Sequence, residues 1–598
     1  MIMGGRDSKN NTSNDVVDRA FLMRIKSIEF KNFRNIDYGK LVFPNNDSEC
    51  LENIKSSVLG IYGQNGSGKS SVIMALNMLK TILSHGSLGK QFNSCIQYGH
   101  DSCNLVYTFI LVDYKANHGI SGHNENEPIN EIIYYSFDVK REQDALNNKD
   151  MLRIVNEKLS LSVATKEGKT ILSKRVVIDT SDDKCKKNNI PFGTSRCFET
   201  ILGRDKNMRA ALMEAKNNAY EQSRSFVFSD EFWDLCMTRV SERFGLGLPE
   251  GIEQSNRELT DYLDSRNSDN ESDDKENLKL DEIRLAKVTS DLVNYSIESV
   301  GLSKRYSPEF FLHYSLDDDK EHSKILKEVS MRKTIQFFAA HTVVRLVEYG
   351  ECYMHIVDTQ STGRINLNQE MFLFHIFHEA DSSFLNYATR ICVNMQESFI
   401  VSDSLYKEII SSINSTNKVI NSIIPGLSIV VDEKEREVND KNENTVRLEL
   451  MAKRGETVIP LRYESDGVRR IVSMISSMVT AYNESSFLLA VDEIDSGIYE
   501  YLLGELLSVL NESGKGQMVF TSHNLRPLEV LPAKNLCFTT TNPDSRFTTL
   551  SKRGNSNLRD TYFRGIVLGT DKDPLCYETS RYDIENAFTL AGLGDSND

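Results

Sequence analysis

The ten cysteines of this sequence include no C-x-x-C pair, so neither a zinc knuckle nor a regular disulfide framework is written into it. Reduced thiols in a cytoplasmic protein are the expectation. There is one tryptophan, and there are only 11 prolines in 598 residues. No apolar run approaches the roughly 20 residues that a membrane-spanning helix needs, and no membrane partner is expected. The first 22 residues lack the hydrophobic stretch of a secretory signal. No segment sustains apolar heptads, which argues against a long coiled-coil arm. Basic charge is not in excess either: 70 Lys and Arg stand against 86 Asp and Glu, a formal net charge of −16. That argues against a broad nonspecific nucleic-acid surface while leaving room for a local basic groove. What remains is a globular composition, 39% hydrophobic and 26% charged, long enough for two or more compact units.

The most informative stretch runs from Ser57 to Ser71. An apolar run, Val58-Leu59-Gly60-Ile61-Tyr62, leads into Gly63-Gln64-Asn65-Gly66-Ser67-Gly68-Lys69-Ser70-Ser71 and then into the apolar-periodic segment 72–79. Strand, glycine-rich loop and helix in that order are the context of a phosphate-binding P-loop. Gly63, Gly66 and Gly68 let the backbone curl so that successive amides face phosphate oxygens. The helix start adds unpaired amides and the positive end of its dipole. Lys69 offers a point charge to the outer phosphates, and the Ser70 hydroxyl is a ligand for Mg²⁺. A chance glycine loop would not sit between a strand and a helix in this way.

The acids that such a loop requires lie near the other end. Phe487-Leu488-Leu489-Ala490-Val491 reads as a buried parallel strand that ends in Asp492-Glu493. Asp492 is placed to hold Mg²⁺ through water, and Glu493 to polarise an attacking water. A second buried strand, 517–521, ends in Ser522-His523, which gives His523 a catalytic or sensing position against the γ-phosphate. Upstream, Ser465-Asp466-Gly467 opens an amphipathic helix. Alone, this is an ordinary helix cap.

Together these pieces resemble the ABC-type ATPase heads of the RecF, SMC and OLD group. The resemblance rests on Phe30-Lys31-Asn32-Phe33-Arg34-Asn35, the P-loop, Ser465-Asp466-Gly467, Val491-Asp492-Glu493-Ile494-Asp495 and Thr521-Ser522-His523-Asn524. It implies ATP and Mg²⁺ as cofactors and a homodimer or higher homo-oligomer in which two heads sandwich nucleotide. It also implies nucleotide contacts from Arg34 and Asn35, trans contacts to the γ-phosphate from Ser465 and Gly467, and a switch role for His523. The signature lacks the leucine and second glycine of transporters, so no transporter head is expected. Gln97 is the candidate for the family's Q-loop glutamine. More narrowly, Asn557-Leu558-Arg559-Asp560-Thr561-Tyr562 resembles the ATP-binding proteins of bacterial anti-phage systems such as Septu and PARIS. That resemblance implies a sensor ATPase acting with a separately encoded effector, a nuclease or toxin; DNA or a phage component is a further candidate partner, and the trigger stays open. Two other readings stay open: a RecF/SMC-like DNA-repair clamp, and a scaffold that holds ATP without cleaving it.

The expected fold is α/β, a head with a mostly parallel sheet and a β-rich first lobe, interrupted by a largely helical insertion. The expected units are a flexible tail over 1–22, a first ATPase lobe over 23–190, the insertion over 191–426 and a second lobe over 427–598. In the first lobe, strands are expected around 25–30, 40–43, 104–112, 132–137 and 174–178. Helices are expected at 208–220, 231–243, 281–299, 324–343, 369–379 and 384–424, with a polar, acidic, flexible loop over 254–279. His375 and His378 sit at i, i+3, a spacing open to a metal on a helix, yet their aromatic surroundings favour a packed helix face. Strands resume at 427–431, 445–452 and 457–462, the last two joined at Arg454-Gly455.

Overall fold

The computed structural model describes residues 21–46, 54–113, 129–143, 150–165, 170–181, 206–229, 231–232, 342–343, 345–358, 371–378, 387–438, 444–550, 558–568, 574–576 and 580–593. The acidic stretch 254–279, the helices expected at 281–299 and over nearly all of 231–243 and 324–343, and the tail up to residue 20 lie outside them.

Two six-stranded sheets form an α/β head. The antiparallel one is built from β1 (Phe21–Phe33), β2 (Ile36–Val42), β4 (Ser102–Asp113), β5 (Ile129–Gln143), β6 (Asp150–Thr165) and β7 (Thr170–Asp179), in the order β2-β1-β4-β5-β6-β7. The second contains β3 (Ser57–Tyr62), β8 (Met354–Val357), β15 (Leu488–Val491), β16 (Gln517–Thr521), β17 (Leu536–Thr539) and β18 (Phe547–Thr548), in the order β18-β17-β3-β16-β15-β8. Its pairs are parallel except β17 with β18. Strand alternation sends its two faces into different cores. Leu59, Ile61, Leu488, Ala490 and Val519 join a core shared with the antiparallel sheet and the P-loop helix α1 (Lys69–Leu83). Val58, Tyr62, Leu489, Val491, Met518 and Phe520 face the opposite way, into a second core. Being buried on both sides is why these strands read as unbroken apolar runs.

Two buried polar side chains lock the sheets together. Gln517 on β16 accepts from the Ile25 amide at 2.8 Å and donates to the Ile25 carbonyl at 2.9 Å, closing a two-bond clasp onto β1. The Arg24 guanidinium, fully buried, donates to the Ser485 carbonyl at 3.2 Å, to the Lys55 carbonyl at 2.8 Å and to the Lys515 carbonyl.

Further helices of the described framework are, in chain order, α2 (Lys206–Glu221), α3 (Asp403–Ile423), α4 (Asp466–Asn483), α5 (Glu500–Ser513), a single turn at Pro527–Val530, and α6 (Leu558–Leu568) and α7 (Arg581–Leu593) near the C-terminal end. A third sheet holds β11 (Phe399–Ser402), β12 (Leu427–Val438), β13 (Asn444–Arg454) and β14 (Thr457–Pro460). It packs with α3 around a core that takes Val472 and Ile475 from α4. Ile471, Met474 and Met478 of the same helix enter the core behind the parallel sheet. The helix that starts at Ser465-Asp466-Gly467 therefore bridges the third sheet and the nucleotide-type sheet. The β13–β14 hairpin turns at Gly455, whose φ of +59° suits a residue without a Cβ.

Three expectations are corrected. Residues 369–379 are not helical: β9 (Met371–His378) pairs antiparallel with β10 (Tyr387–Asn394). Within 384–424, β10 and β11 precede α3, so only the second half is a helix. The sequence Met-Phe-Leu-Phe-His-Ile-Phe-His is aromatic-rich, a strand preference that an apolar run without clear period hides. The helical spacing that would have set His375 beside His378 is absent. β6, which no expectation named, completes the antiparallel sheet between β5 and β7. Among the described residues the longest helix is α3, at 21 residues, and none is long and apolar enough to cross a membrane.

Candidate functional site

Four chemistry-bearing segments leave the parallel sheet at one edge. β3 runs into the P-loop, β15 into Asp492-Glu493, β16 into Ser522-His523 and β8 into Asp358. The carboxyl ends of parallel strands are where α/β sheets present ligand sites.

The P-loop is braced from beneath by β17. The Thr539 hydroxyl, at the strand's end, reaches the Tyr62 carbonyl at 3.2 Å and the Ser67 hydroxyl at 2.5 Å. That packing dictates Gly63: a Cβ there would fall 1.7 Å from Thr539 Oγ1, at a φ of +154°. Gly68, at φ +103°, caps α1. Lys69 crosses the loop, its ammonium donating to the Gly63 carbonyl at 2.8 Å and the Gln64 carbonyl at 3.0 Å. Burial lowers its pKa, while Asp492, Glu493 and Asp495 act in the opposite direction. Asn35 holds the loop's outer side, donating to the Gly66 carbonyl and accepting from the Ser71 hydroxyl at 3.3 Å.

The two distant halves of the sequence meet at Ser70 and Asp492. The Ser70 hydroxyl donates to Asp492 Oδ1 at 3.1 Å, and the Thr521 hydroxyl donates to the same oxygen at 2.6 Å. Asp492 is fully buried. Ser70 lines the cleft with Asp492 directly behind it, and a hydroxyl and a carboxylate at this separation form a hard-oxygen donor pair of the kind that suits Mg²⁺ completed by phosphate oxygens and water. The residues present fit the cation that the resemblance implies.

Glu493 has a left-handed backbone, with φ +49°. A non-glycine residue there carries strain of about 1–3 kcal/mol, a cost that clusters where a side chain must be aimed. Two contacts hold the conformation: the Glu493 amide donates to Thr521 Oγ1 at 2.8 Å, and Arg470 donates to the Glu493 carbonyl at 3.4 Å. Arg470, from α4, also reaches the Asp492 carbonyl at 3.2 Å and is only 3% exposed. Its Nε and Nη1 have no hydrogen-bond partner. Burial lowers its pKa, opposed by Glu493, Asp492 and Asp495. A buried cation thus sits behind the acid pair.

Asp495 ties the acid strand to the next. It accepts from the His523 amide at 3.2 Å and from the Asn524 amide at 3.1 Å. His523 itself is exposed. Arg34, Asn35, Asn65, Gly66, Gly68, Lys69, Ser70, Ser71, Gln97, Glu493, Asp495, Thr521 and His523 line one open cleft of about 1390 Å³. Gln97 donates to the Asp37 carboxylate and keeps a buried carbonyl oxygen unpartnered.

Ser465 and Gly467 do not line this cleft. Ser465 is the N-cap of α4, its hydroxyl accepting from the Val468 amide at 3.4 Å. Gly467 packs on the loop after Glu493, where a Cβ would meet the Gly497 carbonyl oxygen at 2.4 Å.

A family model described as an AAA ATPase domain matches residues 23–526, spanning every element of the cleft. The chain belongs to this family. Among solved structures, this AAA ATPase is similar to the Smc head domain with an extended coiled coil bound to the C-terminal domain of ScpA from Pyrococcus furiosus. That likeness has 12% identity and a TM-score of 0.29, covering 89% of this chain and 97% of that one. It is also similar to the Smc head domain with a coiled coil and joint from Pyrococcus yayanosii, at 13% identity and a TM-score of 0.30, covering 89% and 98%. No curated protein matches it.

Sequence reasoning gave no role to Thr521, Thr539, Asp495, Arg470 or Asp358. Asp358 had a usable signal: Met354-His355-Ile356-Val357-Asp358 has the same form as Leu488-Leu489-Ala490-Val491-Asp492, a short run with an acid behind it. Thr539 had none, because its role depends on a neighbour 476 residues away in sequence.

Proposed function

We propose that this AAA ATPase binds ATP with Mg²⁺ in the cleft and hydrolyses it, and that the cycle controls a separately encoded effector in bacterial anti-phage defence. The observation that carries the chemical half is the 3.1 Å contact between Ser70 and Asp492 beside Glu493, which lines the cleft on a left-handed backbone. The P-loop amides and Lys69 would hold the β- and γ-phosphates. Ser70 and Asp492 would hold Mg²⁺, which when bound neutralises charge on the phosphates. Glu493 would orient the attacking water and receive its proton. His523, tethered through its own amide to Asp495, would report on the γ-phosphate side. Arg34 and Asn35 would contact nucleotide from the β1–β2 turn.

Ser465 and Gly467 lie outside their own cleft, which supports the reading that they serve the nucleotide of a second copy in a sandwich. The anti-phage role is supported by the resemblance of the 557–562 segment and places the protein in the cytoplasm.

Phosphate release and ATP-dependent mass test the proposal together. Glu493→Gln is expected to bind ATP, release phosphate at least 100-fold more slowly and accumulate as a dimer. A variant that stays monomeric in saturating ATP would remove the sandwich. Unchanged hydrolysis would leave only a nucleotide-holding scaffold. Neighbouring genes that encode no nuclease or toxin, with phage sensitivity unaltered by deletion, would remove the defence role. Hydrolysis stimulated by DNA would turn the reading toward a repair clamp.

A further inference from the structure

His523 reaches the cleft on a loop whose backbone is held from two sides. β16 runs beside β3 with Thr521 opposite Ile61, so the residues that follow the two strands leave the sheet as neighbours. On one side, Asp495 accepts from the amides of His523 and Asn524 at 3.2 and 3.1 Å. On the other, the Tyr62 hydroxyl donates to the Asn524 carbonyl at 3.0 Å. Ser522 closes the turn from within: its hydroxyl accepts from the Asn524 amide at 3.0 Å and donates to the Asn524 carbonyl at 3.4 Å. The residue that follows the histidine is thereby bonded at both its amide and its carbonyl.

Tyr62 is the last residue of β3 and is followed directly by Gly63 of the P-loop. It is 1% exposed. Its ring packs in the core behind the parallel sheet, with centroids 6.1 Å from Phe538 and 6.5 Å from Phe520 and Tyr562. Phenylalanine would fill that place as well; what tyrosine adds is one hydroxyl. Carrying a hydroxyl into a core costs free energy unless it is bonded, and this one is bonded to the histidine loop. Burial pushes its pKa well above the ordinary phenol value, so it keeps its proton and stays a donor. The Tyr62 carbonyl in turn accepts from Thr539 at 3.2 Å. One residue therefore meets the brace beneath the P-loop with its backbone and the histidine loop with its side chain.

We propose that Tyr62 is a positioning residue whose hydroxyl, acting opposite Asp495, fixes the backbone around His523 relative to the P-loop. The inference rests on the reading of His523 as the residue that reports on the γ-phosphate side. His523 is exposed, so burial of its own ring does little to set its position, and the bonds to its loop do that instead. Asp495 ties the loop to the acid strand, and Tyr62 ties it to the strand that carries the P-loop. The histidine is thus placed against both halves of the site at once. Loss of the hydroxyl keeps the tie to the acid strand and removes the side-chain tie to the P-loop strand.

The test is a double-mutant cycle in the full chain on Tyr62→Phe, His523→Ala and the double variant. Titration of a fluorescent ATP analogue, steady-state hydrolysis and nucleotide-free melts are measured. Tyr62→Phe should lower kcat about fivefold, the worth of one hydrogen bond, while nucleotide affinity and KM stay within about twofold of wild type. His523→Ala should lower kcat about 100-fold. In that background Tyr62→Phe should add nothing to the loss. An affinity that falls as far as kcat, or a Tyr62→Phe protein that no longer folds, would make Tyr62 a structural residue and overturn the proposal. Wild-type kcat in Tyr62→Phe, or effects of the two substitutions that multiply, overturn it as well. In each of these cases an impaired His523→Ala leaves the reading of the site standing. His523→Ala with wild-type kcat, or wild-type protein that binds no nucleotide, overturns that reading and this inference together.

Discussion

Gly63→Ala is a small change whose consequence follows from one contact. The added methyl would lie 1.7 Å from Thr539 Oγ1 and 2.9 Å from Ser67 Oγ. Overpacking of this kind costs about 1–3 kcal/mol, and an L-residue at positive φ adds roughly 1–2 kcal/mol. The strain of about 2–5 kcal/mol has an easy outlet, because the P-loop can lift away from β17 instead of unfolding the sheet. Nucleotide affinity should then fall by roughly 30-fold to 4,000-fold at one decade per 1.4 kcal/mol, with the melting temperature of nucleotide-free protein little changed. Thr539→Ala in the same chain removes the clashing oxygen and should return about one to two decades of affinity. Alone, Thr539→Ala forfeits bonds to Tyr62 and Ser67, each worth about 1 kcal/mol, and should weaken binding modestly. Titration of a fluorescent nucleotide against the four proteins decides the matter. Wild-type affinity in Gly63→Ala, or no recovery from Thr539→Ala, would refute the bracing role assigned to β17.

Lys69→Ala should abolish measurable ATP binding by equilibrium titration while leaving the melting temperature of nucleotide-free protein within a few degrees of wild type. Arg470→Met replaces a buried cation having two unpartnered nitrogens by an apolar chain of similar length, an exchange that is often neutral for stability. The melt should hold while phosphate release drops at least 10-fold, because the Asp492 and Glu493 carbonyls lose their donor. Glu157 tests a pH dependence. Burial raises its pKa although Tyr135, Ser225 and the Phe226 amide donate to it. The folded chain thus holds this proton to higher pH than the unfolded chain does, so its stabilising contribution is full below the ordinary carboxylate range and fades as pH rises through the folded value. The melting temperature of wild type relative to Glu157→Gln should therefore decline as pH rises from about 4.5.

The sequence announces this site because nucleotide chemistry constrains short contiguous stretches. Gly63, Gly66 and Gly68 are glycines for backbone reasons that act within a few residues, and the apolar run before Asp492 reflects a strand buried on both faces. Such signals survive reading one segment at a time. The corrections share a cause. Residues 371–378 and 387–394 are apolar without a clean period, and their state is settled by pairing with each other, a nonlocal fact. Arg470 falls within the helix that Ser465-Asp466-Gly467 opens, but nothing within α4 says that its side chain reaches the carbonyls of Asp492 and Glu493.

The edge strand β8 shows where the boundary of legibility lies. Its four residues, Met354–Val357, are too few for any periodicity to emerge, and it precedes β15 by more than 130 residues. Only the register that sets Val357 against Val491 turns Asp358 from one acid among 86 acidic residues into a neighbour of the metal-type site. The same parallel pairing that makes the sheet supplies both acids with their positions. A substitution that slipped β8 by one residue would therefore displace Asp358 and reverse the faces of its strand, while leaving Ser70, Asp492 and Thr521 in contact. Nucleotide binding should survive such a slip, whereas its loss in an equilibrium titration would mean that the edge strand is required for the site to form.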